Sequence, residues 1–151
     1  MKYIIFAGAL VLTTAIAGEA IAACDGVQVT SESVPSLGNL LLGNTICQIS
    51  PEKAQEEHHS GSILKDYKKG PIDPADPSSQ IGNWNVSGSG VDTIVNYTYG
   101  ASGFSYKVYM LTGTLGADNS TYEFCNAGTP VASVTLKTGF GSNTSYSPVC
   151  P

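Results

Sequence analysis

Arginine is absent from all 151 residues, and seven lysines face twelve acidic side chains, for a formal charge of −5. The bidentate guanidinium that reads guanine and clamps phosphate is therefore missing, which removes nucleic acid as a leading partner. Charge of either sign is scarce, at 13%, whereas long surface helices usually carry more. Tryptophan occurs once and histidine only twice, at adjacent positions His58 and His59. No two cysteines are closer than the 23 positions between Cys24 and Cys47, so a C-x-x-C redox or zinc-ribbon motif is excluded. No internal repeat or coiled-coil heptad occurs. What is plentiful is apolar surface, at 42%, with 17 glycines and 8 tyrosines, the composition of a folded, loop-rich domain rather than a disordered tail.

The start of the chain reads as an export signal. Lys2 gives a minimal positive region, Tyr3 to Ala17 is uncharged and mostly apolar, and Ala20-Ile21-Ala22 has the small-x-small spacing of a signal-peptidase site. The apolar run of about 15 residues ends at Gly18-Glu19, short of the roughly 20 that a membrane helix needs. Residues 1–23 are therefore read as a signal peptide and 24–151 as a single β domain, secreted or periplasmic, with no transmembrane span. A minority reading takes Ile21-Ala22-Ala23-Cys24 as a lipobox with a lipid anchor on Cys24. It would strand one thiol.

Cys24, Cys47, Cys125 and Cys150 are an even number in an oxidising compartment, the arithmetic of two disulfides. Three pairings are possible. Sequence order favours Cys24 with Cys47 and Cys125 with Cys150, each closing a moderate loop and tying down one terminus. Four N-x-S/T sequons, at Asn85, Asn96, Asn119 and Asn143, mark surface positions that a eukaryotic host would glycosylate.

Period-two alternation between glycine-marked turns dominates the second half. Val91, Thr93, Val95, Tyr97 and Tyr99 point one way, with Asp92, Asn96 and Thr98 opposed. After Gly100-Ala101-Ser102-Gly103, the residues Phe104, Tyr106, Val108 and Met110 alternate with Ser105 and Lys107, a hairpin with a four-residue loop. Upstream, 81–87 enters through Gly88-Ser89-Gly90, giving three successive antiparallel strands with Trp84, Val95, Tyr97 and Val108 buried. Further strands are expected at 121–125, 131–137, 27–30, 45–49 and 63–67, and a turn of helix or a buried loop at 37–42. Pro51 to His59 suits a helix start or a polar strand. The three prolines between Gly70 and Pro77 make that stretch a surface loop. The predicted fold is all-β, an antiparallel meander forming a small barrel or sandwich with little helix.

At Gly82-Asn83-Trp84 the chain resembles the G-x-W signature of the calycins, the lipocalin and avidin-like barrels that hold one small ligand inside. The motif lies mid-chain rather than on the first strand, and the arginine that packs on this tryptophan in many lipocalins has no counterpart. The resemblance implies an architecture, not a ligand.

Chemistry-bearing groups are few. Glu56-Glu57-His58-His59 joins both histidines to two carboxylates, but adjacent histidines face opposite ways in a strand and well apart on a helix, and H-E-x-x-H needs a spacing of four. A solvated polar segment is the plainer expectation, for which His58→Ala with His59→Ala would change stability by no more than about 0.5 kcal/mol. Asp73 and Asp76 lack the EF-hand order and read as part of a rigid turn. Gly100 to Phe104 misses the last glycine of G-x-S-x-G, and Gly88-Ser89-Gly90 lacks the lysine or glycine that completes a phosphate loop. The aromatic set Trp84, Tyr97, Tyr99, Phe104, Tyr106, Tyr109 and Tyr122 is either cross-strand packing or the wall of a ligand site. Trp84, Tyr97, Tyr99 and Tyr106 are the ligand-binding candidates, for a small apolar or aromatic molecule. The sequence thus predicts a non-catalytic exported binding module for a small molecule or surface partner, with no cofactor. The alternatives are an envelope lipoprotein with a structural or inhibitory role, and a metal-dependent enzyme using Glu56, His58 and His59.

Overall fold

A computed structural model describes residues 24–50, 54–66, 79–140 and 150; the leader reading of 1–23, Asp73, Asp76 and Asn143 lie outside these. Strand β1 (Val27–Val29) and a short helix α1 (Leu37–Leu41) precede β2 (Asn44–Ser50), β3 (Ala54–His58), β4 (Ile63–Asp66), β5 (Ser79–Ser87), β6 (Ile94–Tyr99), β7 (Ser102–Thr112), β8 (Thr121–Asn126) and β9 (Thr129–Thr138). Each strand from β2 onward pairs antiparallel with the next, and β9 returns to pair with β2, so eight strands close into an up-and-down barrel. Closure removes the unpaired edges that a sandwich would leave. Strand β1 lies along β7 at Val108–Met110, beyond the point where β6 stops pairing at Tyr106.

Alternation selects the inward face. Val95 and Tyr97 on β6 are buried, and their partners Tyr106 and Phe104 on β7 share that face, while Asn96 pairs outside with Asn85 and Ser105. Trp84, Val95, Tyr97 and Val108 are all buried, as their pattern predicts. Two boundaries differ from the sequence reading. Residues Gly90–Asp92 form a single 3-10 turn rather than strand, leaving Val91 69% exposed, and the β6–β7 turn is tighter than four residues because β7 already begins at Ser102. At Gly88, φ is +79° and an added Cβ would meet the Asp92 carbonyl oxygen at 2.2 Å, so the chain coils there before it straightens.

Helix α1 is capped by Ser36, whose hydroxyl accepts from the Asn39 amide at 3.4 Å. It sends Leu37, Leu40 and Leu41 into the same core as Ile46, Leu64, Tyr122 and Leu136. Its contacts are with β2 and β5, so it covers the barrel end that holds the 59–62, 88–93 and 113–120 connections. Each fully buried leucine contributes about 2 kcal/mol.

Cys24 and Cys150 are each tied to the outside of the barrel. Cys125 on β8 bonds to Cys24 and Cys47 on β2 to Cys150, which corrects the sequence-order pairing. The physical reason is facing. Phe124 and Ile46 point inward, so Cys125 and Cys47 point outward on strands of a closed barrel, where a flanking segment can reach each. Gly139, Phe140 and Cys150 meet polar side chains on the outer faces of β2 and β3. Thr45 donates to the Gly139 carbonyl at 2.6 Å, Phe140 stacks on His59 at 3.9 Å, and the Cys150 amide donates to Gln55 Oε1 at 3.4 Å.

Gly82 has a structural role inside the G-x-W triplet. A Cβ there would meet the Thr98 carbonyl oxygen at 2.2 Å, so β5 and β6 approach more closely than any side chain allows. We expect Gly82→Ala to destabilise the protein by about 1–3 kcal/mol through forced separation of these strands. Urea midpoints measured beside Gly38→Ala, where nothing lies within 4 Å of the added carbon, will show it. Equal midpoints for the two variants would refute the close-approach explanation.

Candidate functional site

In β3 the residues two apart share a face, so Glu56 and His58 both point inward while Glu57 and His59 point out. His58 is fully buried rather than solvated, which overturns the expectation of a polar surface segment. Its Nε2 lies 2.8 Å from the Tyr97 hydroxyl, and its ring meets Trp84 and Tyr97 edge-on at centroid distances of 5.0 and 5.6 Å. The Trp84 indole donates to the His59 carbonyl at 3.1 Å. Burial lowers the His58 pKa to about 3, against the opposing pull of the Glu56 carbonyl, so the ring is neutral at physiological pH. The neutral ring shares one hydrogen bond with the Tyr97 hydroxyl through Nε2, while its buried Nδ1 has no hydrogen-bond partner among the described residues.

Beyond this inner layer lies a second, more accessible one. The Tyr99 hydroxyl donates to Glu56 Oε1 at 2.6 Å, a charge-assisted bond. Tyr99 stacks near Tyr97 with centroids 6.2 Å apart and meets Phe104 at 6.0 Å, and Tyr106 sits 6.1 Å from Tyr97 and 6.0 Å from Phe124. Tyr99 and Tyr106 are half-buried and Phe104 is 44% exposed. Burial raises the phenol pKa of both Tyr97 and Tyr106, and the Glu56 charge raises each further. These phenols therefore stay protonated hydrogen-bond donors at neutral pH.

The four aromatic candidates Trp84, Tyr97, Tyr99 and Tyr106 thus come together, on one interior face and in contact through shared neighbours. Tyr122 also points inward, but its hydroxyl accepts from the Gly116 amide at 3.0 Å and anchors the 113–120 loop. Tyr109 lies on the outer surface, beside Lys107. Composition favours the histidines as a polar pair, yet the spacing of Glu56 and His58 on the pattern of a strand is the available signal for an inward-facing polar couple.

The alternatives from sequence fare differently. Glu56 and His58 enter the barrel while His59 bonds to Glu57 outside at 2.9 Å, so the proposed metal set of Glu56, His58 and His59 is not assembled. Cys24 is held in its bond to Cys125, which leaves no sulfur there for a lipid thioether and corrects the lipoprotein reading. The two disulfides fit an oxidising, extracellular-type environment, and no helix among the described residues is long and apolar enough to cross a membrane. No protein-family model, no curated protein and no solved structure matches the chain.

Proposed function

We propose that this is an exported, non-catalytic binding module that takes a small apolar or aromatic ligand at the end of the barrel bearing Phe104, Tyr99 and Tyr106. The carrying observation is the pairing of an exposed ring, Phe104, with half-buried phenols arranged about the Glu56 carboxylate on the interior face. Aromatic walls with a few fixed polar groups are what small-molecule sites are made of. The rings supply stacking area, and Glu56 and the phenols supply orientation. A closed eight-stranded barrel with an inward tryptophan supports the likeness to calycins, and the signal-like leader with two disulfides supports export.

The test uses the neutral aromatic amine N-phenyl-1-naphthylamine, whose N–H can donate to a carboxylate and whose fluorescence rises in apolar surroundings. We expect saturable binding to the oxidised protein, with Kd raised at least about tenfold by Phe104→Ala and by Tyr106→Ala, a loss of about 1.4 kcal/mol. Val91→Ala, on the opposite end, is the control. Absence of saturable binding, or equal Kd values for all three variants, would sink the reading.

A further inference from the structure

A groove of about 420 Å³ lies on the outside of the barrel, away from the interior rings, and its size is that of a small-molecule site. Lys107 and Tyr109 of β7, two apart and therefore on one face, line it together with Ile94 of β6, Cys125 of β8 and the Ala127–Gly128 turn. Lys107 is the one charged residue of that lining. In a chain with twelve acidic side chains against seven lysines, this half-buried ammonium has no ion pair among the described residues, and the Tyr109 hydroxyl has no hydrogen bond there. Glu123, the cross-strand partner of Tyr109, is buried outside the lining with its Oε2 4.0 Å from the Cys125 sulfur. Ala127 stands at φ +49°, where asparagine or glycine would relieve the backbone, so the turn keeps a methyl-bearing residue at the groove at a conformational cost. Ser105, also in the lining, donates to Asn96 Oδ1 at 2.7 Å, and Asn96 Nδ2 donates to Asn85 Oδ1 and Ser87 Oγ, each at 2.9 Å. An uncharged row of hydroxyls and amides thus runs from the groove across β6 to β5.

We propose that this groove binds an acidic saccharide, with the carboxylate on the Lys107 ammonium, the C–H face of the sugar ring on Tyr109, and the sugar hydroxyls along Ser105 and the Asn96 row. The site is separate from the barrel interior and does not depend on the ligand proposed there. A half-buried ammonium attracts an anion more strongly than one in bulk water, because less solvent screens the pair, and a hydrogen bond between charged partners is a strong one. The buried Glu123 carboxylate nearby opposes a second negative charge, which favours a carboxylate over a phosphate dianion. Tyrosine offers an apolar ring face with a polar tip, the surface that a pyranose meets with its C–H groups and a hydroxyl. An aromatic acid would use the lysine and the ring but leave the row of Ser105, Asn96 and Asn85 unmatched, whereas a sugar acid uses all of them.

The experiment follows backbone amide NMR signals of the oxidised, unglycosylated chain during titration with methyl β-D-glucuronide, and with methyl β-D-glucoside and benzoate as comparators. The glucuronide is expected to give saturable shifts centred on Lys107, Tyr109 and Ser105, with a Kd in the millimolar range of a monosaccharide. The glucoside, which lacks only the carboxylate, and benzoate, which lacks the hydroxyls, are each expected to bind at least about tenfold more weakly. Lys107→Met and Tyr109→Leu are each expected to raise the glucuronide Kd at least about fivefold. Lys65→Met, which removes the same charge from β4, three strands away, is expected to leave it unchanged. The same spectra report whether each variant is folded, and Lys107→Gln stands in for any variant that is not. No saturable shift, shifts centred away from the groove, a glucoside that binds as tightly as the glucuronide, benzoate that binds more tightly, or a Kd unchanged by loss of the Lys107 charge overturns the proposal.

Discussion

Replacing Cys47 and Cys150 together by alanine is expected to lower the unfolding free energy by about 4–5 kcal/mol. The bridge spans 103 positions, and on the chain-entropy account a loop of that size is worth about 4.7 kcal/mol through the freedom it removes from the unfolded chain. A second loss adds to it. Freed from Cys47, Cys150 no longer holds its amide against Oε1 of the buried, outward-facing Gln55. Water then satisfies both polar groups, so this part of the loss is modest. Cys24–Cys125, with a separation of 101, is expected to contribute a similar amount. Against a typical domain stability of about 5–15 kcal/mol, either deletion is a large fraction and both together leave little margin. Urea unfolding of the oxidised parent and of the two double-alanine variants provides the numbers. A loss under about 1 kcal/mol for each would show that the bridges do not restrict the unfolded chain as the entropy account requires. Peptide mapping of the oxidised parent is expected to recover Cys24 linked to Cys125 and Cys47 linked to Cys150.

The disulfide pattern shows where sequence reasoning stops. That four cysteines form two bridges is implied by their number and the exported start, but which pairs form depends on facing and closure. Cys47 lies between Ile46 and Gln48 on one strand and Cys125 beside Phe124 on another, and once the apolar neighbours turn inward the sulfurs must leave by the outer face. Nothing local says that β9 returns to β2, and that closure is what makes the outer face a continuous surface that Cys24 and Cys150 reach. The meander from β5 to β7 is legible because Val95, Tyr97, Tyr106 and Val108 keep a period of two between glycines. The 3-10 turn at Gly90–Asp92 is not, since Val91 fits the same period and only the backbone contact at Gly88 excludes it. The candidate site is half legible. Trp84, Tyr97, Tyr99 and Tyr106 stand out as aromatics of the meander, whereas Glu56 and His58 come from a distant, polar-looking segment that β4 brings across to them. A polar residue inside a barrel announces itself only through its partner, and the partners here, Tyr97 and Tyr99, lie about forty positions away.

That inward couple has a consequence for pH. His58 is held neutral in the folded protein with a pKa of about 3, lowered chiefly by burial, whereas in the unfolded chain it titrates near 6.5. Below 6.5 the unfolded state takes up a proton that the folded state refuses, so the unfolded chain binds more protons and is favoured. The contribution of His58 is fully present above pH 6.5, declines as pH falls, and reaches its limit near pH 3. Between pH 7 and pH 4 this single ring is expected to account for about 3 kcal/mol of lost stability. Tyr97→Phe alone removes the hydroxyl that Nε2 meets and leaves a buried ring nitrogen without a partner, a loss of about 1–3 kcal/mol at pH 7. His58→Leu combined with Tyr97→Phe removes both polar partners at once, and is expected to be near the parent at pH 7, within about 1.5 kcal/mol. The difference between parent and double variant then isolates the histidine, because the carboxylates titrate alike in both. Guanidinium unfolding at pH 7 and pH 4 is expected to show the double variant losing about 3 kcal/mol less than the parent on acidification. Parallel losses in the two proteins would mean that His58 is protonated in the folded state at pH 4, and hence that water or a charge partner reaches the barrel interior at the level of Tyr97.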